Sequence, residues 1–242
     1  MRADMSQIIG DNPVGETDSD HWLSVSDLMS GLMIVFLFIA ISMMHFVRIE
    51  RDSIKEIAMA YRDTQVSLHR DLLAEFGEDL DRWQAEIDEQ TLEVRFLNPE
   101  MLFDSGRATI RRPFRDVLSN FVPRYMAVIL RYRDRIEEVR IEGHTSSDWA
   151  RGVSVDNAYF NNMGLSQARA NEVLRYAYEV TPSDEDRSWM RAAVAAVGFS
   201  SARPVIAPDG SEDVYRSRRV AFRVVTDSET QIKRIINDRP GR

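Results

Sequence analysis

The chain has 242 residues, no cysteine and a formal net charge of −8, and these values exclude several classes of protein. Without cysteine, thiol catalysis, disulfide frameworks and thiolate metal sites are excluded. The mean hydropathy of −0.33 excludes a polytopic membrane protein. The acidic balance argues against a general nucleic-acid binder, which needs clustered Lys and Arg, so we expect no direct nucleic-acid partner.

The first predicted element is a transmembrane helix. From Leu28 to Val47 the sequence is almost entirely apolar, and His45 is its only titratable group. A helix of about 20 residues rises about 30 Å, which matches the hydrocarbon core of a bilayer. The acidic segment before it and the Met-Met-His-Phe within its last turn do not fit a cleaved signal peptide. We therefore expect a permanent single-pass anchor over residues 22–47.

Charge bias leaves the orientation of this helix open. Arg48, Arg51 and Lys55 follow the helix, whereas Arg2 is the only Lys or Arg before it. This distribution favours a cytoplasmic C-terminus. Most of the chain follows the helix, however, and long domains cross membranes largely regardless of charge.

Asp27 stands directly before the apolar run and has two interpretations. Ser24 and Asp27 have capping-box spacing, so Asp27 can be a helix-terminal carboxylate that the helix dipole stabilises. Alternatively, Trp22, Leu23 and Val25 extend the apolar face by one turn and place Asp27 inside the membrane. A charged carboxylate costs about 2.5–3.5 kcal/mol at that depth. Burial would then favour the protonated form and allow Asp27 to load and release protons.

Residues 48–90 form a predicted helical connector. Although the segment is highly charged, apolar side chains recur in it at helical spacings. These side chains are Ile54, Ile57, Tyr61, Leu68, Leu72, Phe76, Leu80, Trp83 and Ile87. So narrow a stripe predicts either pairing with a second copy or a partner, or packing on the chain's own C-terminal domain. Gly77 is expected to interrupt the helix.

Beyond residue 90, strand and helix patterns alternate along the chain. The predicted strands are 91–97, 138–142, 192–197 and 220–225, and the predicted helices are 113–131 and 166–180. Pro123 is expected to kink or break the first of these helices. The mixture predicts an α+β fold, an α/β sandwich of one sheet backed by helices.

The segment Trp22–Phe38, WLSVSDLMSGLMIVFLF, resembles the membrane helix of the MotB family of ion-driven stator proteins. In that family an aspartate opens a Met- and Phe-rich helix. The resemblance implies that Asp27 relays the translocated ion, taken to be H⁺, and that no other cofactor is used. It also implies a homodimer inside a pentameric MotA-like (ZorA-like) membrane partner. The N-terminus would then be cytoplasmic and the C-terminal domain periplasmic, in the bacterial inner membrane.

Four segments of the C-terminal region resemble the OmpA-like peptidoglycan-binding domain that MotB proteins share with outer-membrane proteins and lipoproteins. They are Leu102–Thr109, Ile141–Thr145, Asn162–Ala170 and Arg218–Phe222. In that family the loop after Gly-His-Thr and the N-terminus of the following helix hold the diaminopimelate carboxylates of the cell-wall peptide. The resemblance implies peptidoglycan as the ligand. The residues it assigns to binding are Thr145, Asp148, Asn162, Leu165, Ser166 and Arg169.

Three details of this predicted site go beyond the matched motifs. The helix is expected to start near Ser166 and to offer the ligand free N–H groups and a positive dipole end. Where the family has an aspartate for the ligand's ammonium, this chain has Ser146, so Asp148 would have to supply the charge despite the long insert at 149–161. Arg169 can give a carboxylate a bidentate contact or can pair with Glu172 on a solvent-facing surface.

The expected organisation has five parts and no enzyme site. They are a cytoplasmic leader at 1–21, the transmembrane helix at 22–47, the connector at 48–90, the OmpA-like domain at 91–227 and a tail at 228–242. His144, Ser146 and Asp148 crowd one loop without a nucleophile elbow. The histidines are scattered without metal-ligand spacing.

Three functions remain under consideration. The overall likeness favours the ZorB family of Zorya anti-phage systems, which implies a peptidoglycan-anchored subunit of a proton-driven, MotAB-like motor in defence. A flagellar-type stator subunit is the second candidate. A passive peptidoglycan tether without ion conduction is the third, and the position of Asp27 in an apolar helix disfavours it.

Overall fold

The computed structural model describes residues 17–230 and 232. Most of the predicted leader and tail lie outside the described residues. The chain divides into two compact units, Met1–Lys55 and Glu56–Arg242. The domain boundaries expected from the sequence stay predictions.

Helix α1 runs without interruption from Thr17 to Phe76. Within the described residues it is the one helix long and apolar enough to cross a membrane, and its apolar window is not buried inside the protein. Because α1 begins well before Asp27, the interpretation of Asp27 as a helix-terminal carboxylate is wrong. Inside a helix the backbone N–H groups are already bonded to carbonyls one turn back, so none is left for a cap.

The second unit is an α+β domain built on one five-stranded sheet, which confirms the predicted fold class. Its strands are β1 (Ala85–Ile87), β2 (Glu93–Phe96), β3 (Ile136–Gly143), β4 (Val194–Gly198) and β5 (Val220–Thr226). The strand order is β1-β2-β5-β3-β4. Only the pairing of β3 with β4 is parallel, and the other pairings are antiparallel. This order places the start of β5 beside the end of β3.

Helices connect the strands and pack against the sheet. They are α2 (Leu80–Trp83), α3 (Pro99–Leu102), α4 (Arg112–Ile129), a 3₁₀ helix (Leu130–Arg135), α5 (Val155–Val180), α6 (Asp184–Ala193) and α7 (Val214–Ser217). Alternate strand residues such as Val94, Phe96 and Phe222 are buried. Phe121 of α4 packs on Phe96 and Phe222, with ring centroids 5.2 and 5.0 Å away, so aromatic contacts join the helices to the sheet.

The end of α1 packs on its own domain. Leu68, Leu72 and Phe76 are fully buried, and the Phe76 ring lies 5.0 Å from that of Phe121. Of the two interpretations of the apolar stripe, the structure therefore supports packing on the domain for these turns. As expected, α1 ends before Gly77, where an added Cβ would lie 2.7 Å from the carbonyl oxygen of Leu73.

Pro123 lies inside α4 without ending it, so the expected break is absent. A proline removes one helix hydrogen bond and disfavours the helical conformation before it. Here Phe121, Val122, Tyr125 and Met126 are all buried on either side of Pro123. Packing of these side chains holds the helix through the proline.

Candidate functional site

Two glycines allow α5 to lie directly against the ends of β3 and β4. A Cβ added to Gly143 would overlap the backbone of Ser166, and one added to Gly198 would overlap the backbone of Gln167. No larger residue fits at either position without displacing the helix. The Gly-His-Thr segment thus begins at a point fixed by backbone contact with α5.

Ser166 connects α5 to the loop after β4. Its hydroxyl accepts a hydrogen bond from the Ser200 N–H at 3.0 Å and donates to the Met163 carbonyl at 3.0 Å. Ser166 and Ser200 are both completely buried. The structure therefore gives Ser166 an internal, structural position.

A cavity of about 390 Å³ opens beside this junction. It is lined by Ser105, Gly106, Thr145, Ser146, Asp148, Trp149, Ala150, Asn162, Leu165, Arg169 and Arg218. The structure thus brings together every residue of the sequence-predicted binding set except Ser166. A cavity of this size is in the range of small-ligand sites.

The start of α5 differs from the expectation. The helix begins at Val155, and the hydroxyl of Ser154 caps it by accepting from the Asn157 N–H at 3.3 Å. Ser166 therefore lies in the helix interior, where backbone N–H groups are already used, and the expected anion site at a helix start near Ser166 is wrong. An anion in the cavity is therefore not bound by free N–H groups at the start of α5, whereas the guanidinium of Arg169 lies in the cavity wall.

Asn162 shapes the loop that forms one wall of the cavity. Its side-chain amide donates to the carbonyl oxygens of Ser146 at 3.1 Å and Asp148 at 3.3 Å. Asn162 itself is buried. These bonds hold the loop over α5, so Asn162 acts by fixing the shape of the site.

Arg169 is anchored by backbone carbonyls and an aromatic ring. Its Nε donates to the Arg107 carbonyl at 3.0 Å, and its guanidinium lies 4.8 Å from the centroid of Phe103. Burial, together with the positive charge of Arg218, lowers the pKa of Arg169 to about 10. The side chain therefore remains cationic at neutral pH.

Arg169 does not pair with Glu172. Glu172 instead lies 3.6 Å from Arg175, and no carboxylate of the described residues forms an ion pair with Arg169. The alternative interpretation of Arg169 as a surface ion-pair partner is therefore wrong. Its charge is available to an anion that enters the cavity.

Arg218 is a site residue that the sequence analysis did not assign to binding. The pairing of Gly143 with Val220 brings it beside the loop after β3. There its Nε donates to the Ser146 hydroxyl at 2.9 Å, and its Nη2 lies 3.6 Å from an oxygen of Asp148. Arg218 lies in the segment Arg218–Phe222 that resembles the OmpA-like domain, and this was the one sequence feature that could have indicated a role in binding. Only the strand order shows that it lines the cavity.

Thr145 contributes a buried hydroxyl to the cavity wall. Its backbone N–H donates to the Ser200 carbonyl at 2.9 Å. Its Oγ1 has no hydrogen-bond partner among the described residues. A buried polar atom without a partner is costly unless a ligand or water bonds to it, so this hydroxyl is a candidate ligand contact.

A buried carboxylate–imidazole pair lies directly before Thr145 on the chain. Nε2 of His144 is 3.1 Å from Glu142, and both side chains are almost completely inaccessible. Burial alone would raise the pKa of Glu142, but the hydrogen bond and charge of His144, with Arg203, hold that pKa below its ordinary value. Burial lowers the pKa of His144. The pair supports the base of the loop and does not line the cavity.

Asp27 belongs to the other unit. It is exposed on α1 and shares its stretch of helix with small residues. The Ser30 hydroxyl donates to the Ser26 carbonyl at 2.8 Å, and no atom would lie within 4 Å of a Cβ at Gly31. Among the described residues no group of three or more His, Cys, Asp or Glu side chains could hold a metal ion.

Comparisons with known proteins identify the family. No family model matches the chain. It is 49% identical to the Zorya protein ZorB of Escherichia coli over 235 residues, which cover 97% of this chain and 100% of that protein. This match confirms the resemblance to ZorB.

The chain was also matched to solved structures. One is the cell wall anchor of the T6SS from Pseudomonas aeruginosa, with 23% identity, a TM-score of 0.45 and coverage of 64% of this chain and 97% of that one. Another is a MotB-like protein from Desulfovibrio vulgaris, with 21% identity, a TM-score of 0.47 and coverage of 67% and 91%. On the extent of the match to the Escherichia coli protein, this chain belongs to the ZorB family of Zorya proteins.

Proposed function

We propose that this chain is the peptidoglycan-anchored subunit of a proton-driven, MotAB-like motor of the bacterial inner membrane that acts in anti-phage defence. The observation that carries the anchoring role is the convergence of Thr145, Asp148, Asn162, Leu165 and Arg169 on one cavity. The defence role is supported by the 49% identity to a Zorya protein. The chain is not proposed to be an enzyme.

In this proposal the cavity binds the diamino acid of the cell-wall peptide. Arg169 takes a carboxylate through its planar fork of N–H donors, and the free hydroxyl of Thr145 adds a hydrogen bond. Asp148 faces the ligand's ammonium group. Leu165 contacts the apolar methylene chain between the charged ends, and its burial contributes hydrophobic free energy.

The ion path runs through α1. Asp27 sits within the bilayer at a contact between subunits, where protonation removes the cost of about 2.5–3.5 kcal/mol for a charged carboxylate at depth. A membrane potential of about 100 mV supplies about 2.3 kcal/mol per charge, which is comparable. The small residues Ser26, Ser30 and Gly31 allow neighbouring helices to approach closely. The partners are a second copy of this chain and a MotA-like pentamer.

The topology follows from these two roles. A domain that binds peptidoglycan must lie in the periplasm, so the N-terminus is cytoplasmic. The bound domain holds the subunit still against the wall, and proton flow through Asp27 then rotates the partner.

Wall binding is tested by sedimenting the full-length chain, in detergent, with purified cell-wall sacculi. Arg169→Gln should weaken the affinity for sacculi at least about tenfold, read from the sedimented fraction across a series of sacculi concentrations, because a charge-assisted contact contributes about 1.5–3 kcal/mol. Arg216→Gln is the matched control, since Arg216 pairs with Glu86 away from the cavity. Equal sedimentation of both variants would contradict the proposed wall site.

The ion relay is tested by phage protection in cells. Asp27→Asn should abolish protection while the complex still assembles and binds sacculi. Asp52→Asn is the control, because Asp52 is an exposed carboxylate further along the same helix. Full protection by Asp27→Asn would contradict the proposed ion relay. If the unsubstituted chain supported swimming motility but gave no protection against phage, a flagellar-type stator would be favoured instead.

A further inference from the structure

The cavity holds two guanidinium groups and a single, largely exposed carboxylate. Arg169 and Arg218 both line it, and the side chain of Asp148 is 62% exposed. We infer that Arg218 binds a second ligand carboxylate, so that the site selects cell-wall peptides in which both carboxylates of the diamino acid are free. This inference rests on the proposed wall-binding function and names the feature of the ligand that the site selects.

Arg218 is positioned by a neutral group. The Ser146 hydroxyl accepts its Nε–H at 2.9 Å, which sets the direction of the guanidinium without neutralising it. A guanidinium has five N–H donors, and this contact uses one of them. Among the described residues the guanidinium of Arg218 makes no other hydrogen bond, and because Arg218 lines the cavity, its remaining donors are available to an anion there.

Asp148 is a weak and replaceable partner of Arg218. The nearest atoms are 3.6 Å apart, which is too long for a hydrogen bond, and exposed ion pairs of this kind contribute little. Because Asp148 is exposed, it can turn away from Arg218 without leaving a buried charge. A ligand carboxylate can thus replace Asp148 on Arg218, and the released Asp148 is then free to face the ligand's ammonium.

The electrostatics of the cavity favour a doubly negative ligand. Arg169 and Arg218 both line the cavity and therefore repel each other; burial lowers the pKa of Arg169, and the charge of Arg218 lowers it further. Two carboxylates neutralise both groups at once. A ligand with one carboxylate converted to an amide leaves one guanidinium without a counterion, and an amide has nearly the same size and shape as the carboxylate it replaces.

The test uses the full-length chain in detergent and a synthetic tripeptide, L-Ala-γ-D-Glu-meso-diaminopimelate, with its two diaminopimelate mono-amides. Calorimetry should show that the unsubstituted chain loses about tenfold or more in affinity for each mono-amide, as expected for one charge-assisted contact. Arg218→Gln should bind the free dicarboxylate about tenfold more weakly. Arg218→Gln should also bind one mono-amide as tightly as the dicarboxylate, namely the mono-amide that lacks the carboxylate bound by Arg218. The substitution and that amide remove the same contact, so their effects do not add. Discrimination against the other mono-amide should remain.

Two further variants separate this selectivity from general effects. Arg216→Gln removes a nearby guanidinium that lies outside the cavity and should retain discrimination against both mono-amides. Asp148→Asn should weaken binding of the free dicarboxylate, because it removes the partner of the ligand's ammonium, and should still discriminate against both mono-amides. Thermal unfolding establishes that each variant is folded.

The outcomes distinguish the inference from the function on which it rests. If the unsubstituted chain binds none of the three peptides, the proposed wall site is wrong. If it binds them, but Arg218→Gln discriminates against both mono-amides as well as the unsubstituted chain does, Arg218 is not a carboxylate ligand and only the inference is overturned.

Discussion

Replacing Ser166 by alanine separates a structural role from a ligand role. The hydroxyl accepts from the Ser200 N–H at 3.0 Å, and alanine would leave this N–H buried without a partner. An unsatisfied buried donor costs about 1–3 kcal/mol. The second bond, to the Met163 carbonyl, adds little because that carbonyl already lies inside α5. We therefore expect Ser166→Ala to lower the free energy of unfolding by about 1–3 kcal/mol.

Thermal unfolding of the full-length chain measures this loss. For a domain of about 150–250 residues each kcal/mol lowers the Tm by about 2–4 °C. Ser119→Ala is a close control, because its hydroxyl also donates to a carbonyl three residues back, that of Asp116, and is exposed. The control should unfold like the parent chain. Unchanged stability of Ser166→Ala together with lost binding to sacculi would refute the structural role and return Ser166 to the ligand contacts.

Three further predictions test the domain around the site. Gly143→Ala should destabilise it by about 1–3 kcal/mol, because the new Cβ meets the helix backbone, whereas Gly164→Ala, which meets no atom within 4 Å, should be stabilising in the same unfolding assay. Leu68→Ala should cost about 2–5 kcal/mol, since Leu68 is fully buried; a change below 1 kcal/mol would contradict packing of the end of α1 on the domain. The folded pKa values of His144 and Glu142 are both held below their ordinary 6.5 and 4.5, so the folded state binds fewer protons than the unfolded one. Denaturant unfolding should show full stability above about pH 6.5 and a decline as the pH falls through both values, and stability that rises on acidification would refute these directions.

Local patterns predicted the long helix α1, helix α4, part of α5 and four of the five strands, whereas β1, which lies inside the predicted helical connector, and α6 were missed. Strands β2 to β5 and helix α4 came from the spacing of apolar residues, because a strand or helix that covers a core must repeat its apolar side chains at its own period. The start of α5 was missed. Its first turns carry the sequence Asp-Asn-Ala-Tyr-Phe-Asn-Asn, in which apolar residues do not recur at helical spacing. Ser154 is recognised as a helix cap only once the helix is known.

The candidate site was also predicted only in part from the sequence. Motif positions indicated Arg169 and Asn162, but a motif gives no partner, so the pairing of Arg169 with Glu172 stayed open until the structure showed Glu172 beside Arg175. Ser166 matched the motif equally well, but its hydroxyl makes hydrogen bonds within the protein, to Ser200 and Met163. The spacing of residues along a helix tells which of them share a face. The loops packed against the helix decide whether that face lines a cavity or is buried in the protein.

The sequence by itself determined the single apolar span with Asp27 directly before it, because the length of a membrane span is set by bilayer thickness and can be counted along the chain. Tertiary structure alone decided that Arg218 belongs to the cavity. Its neighbours Ser146 and Asp148 lie more than 60 residues away along the chain, and only the antiparallel pairing of β5 with β3 brings them together. Contacts between distant segments depend on strand order, which no local pattern contains.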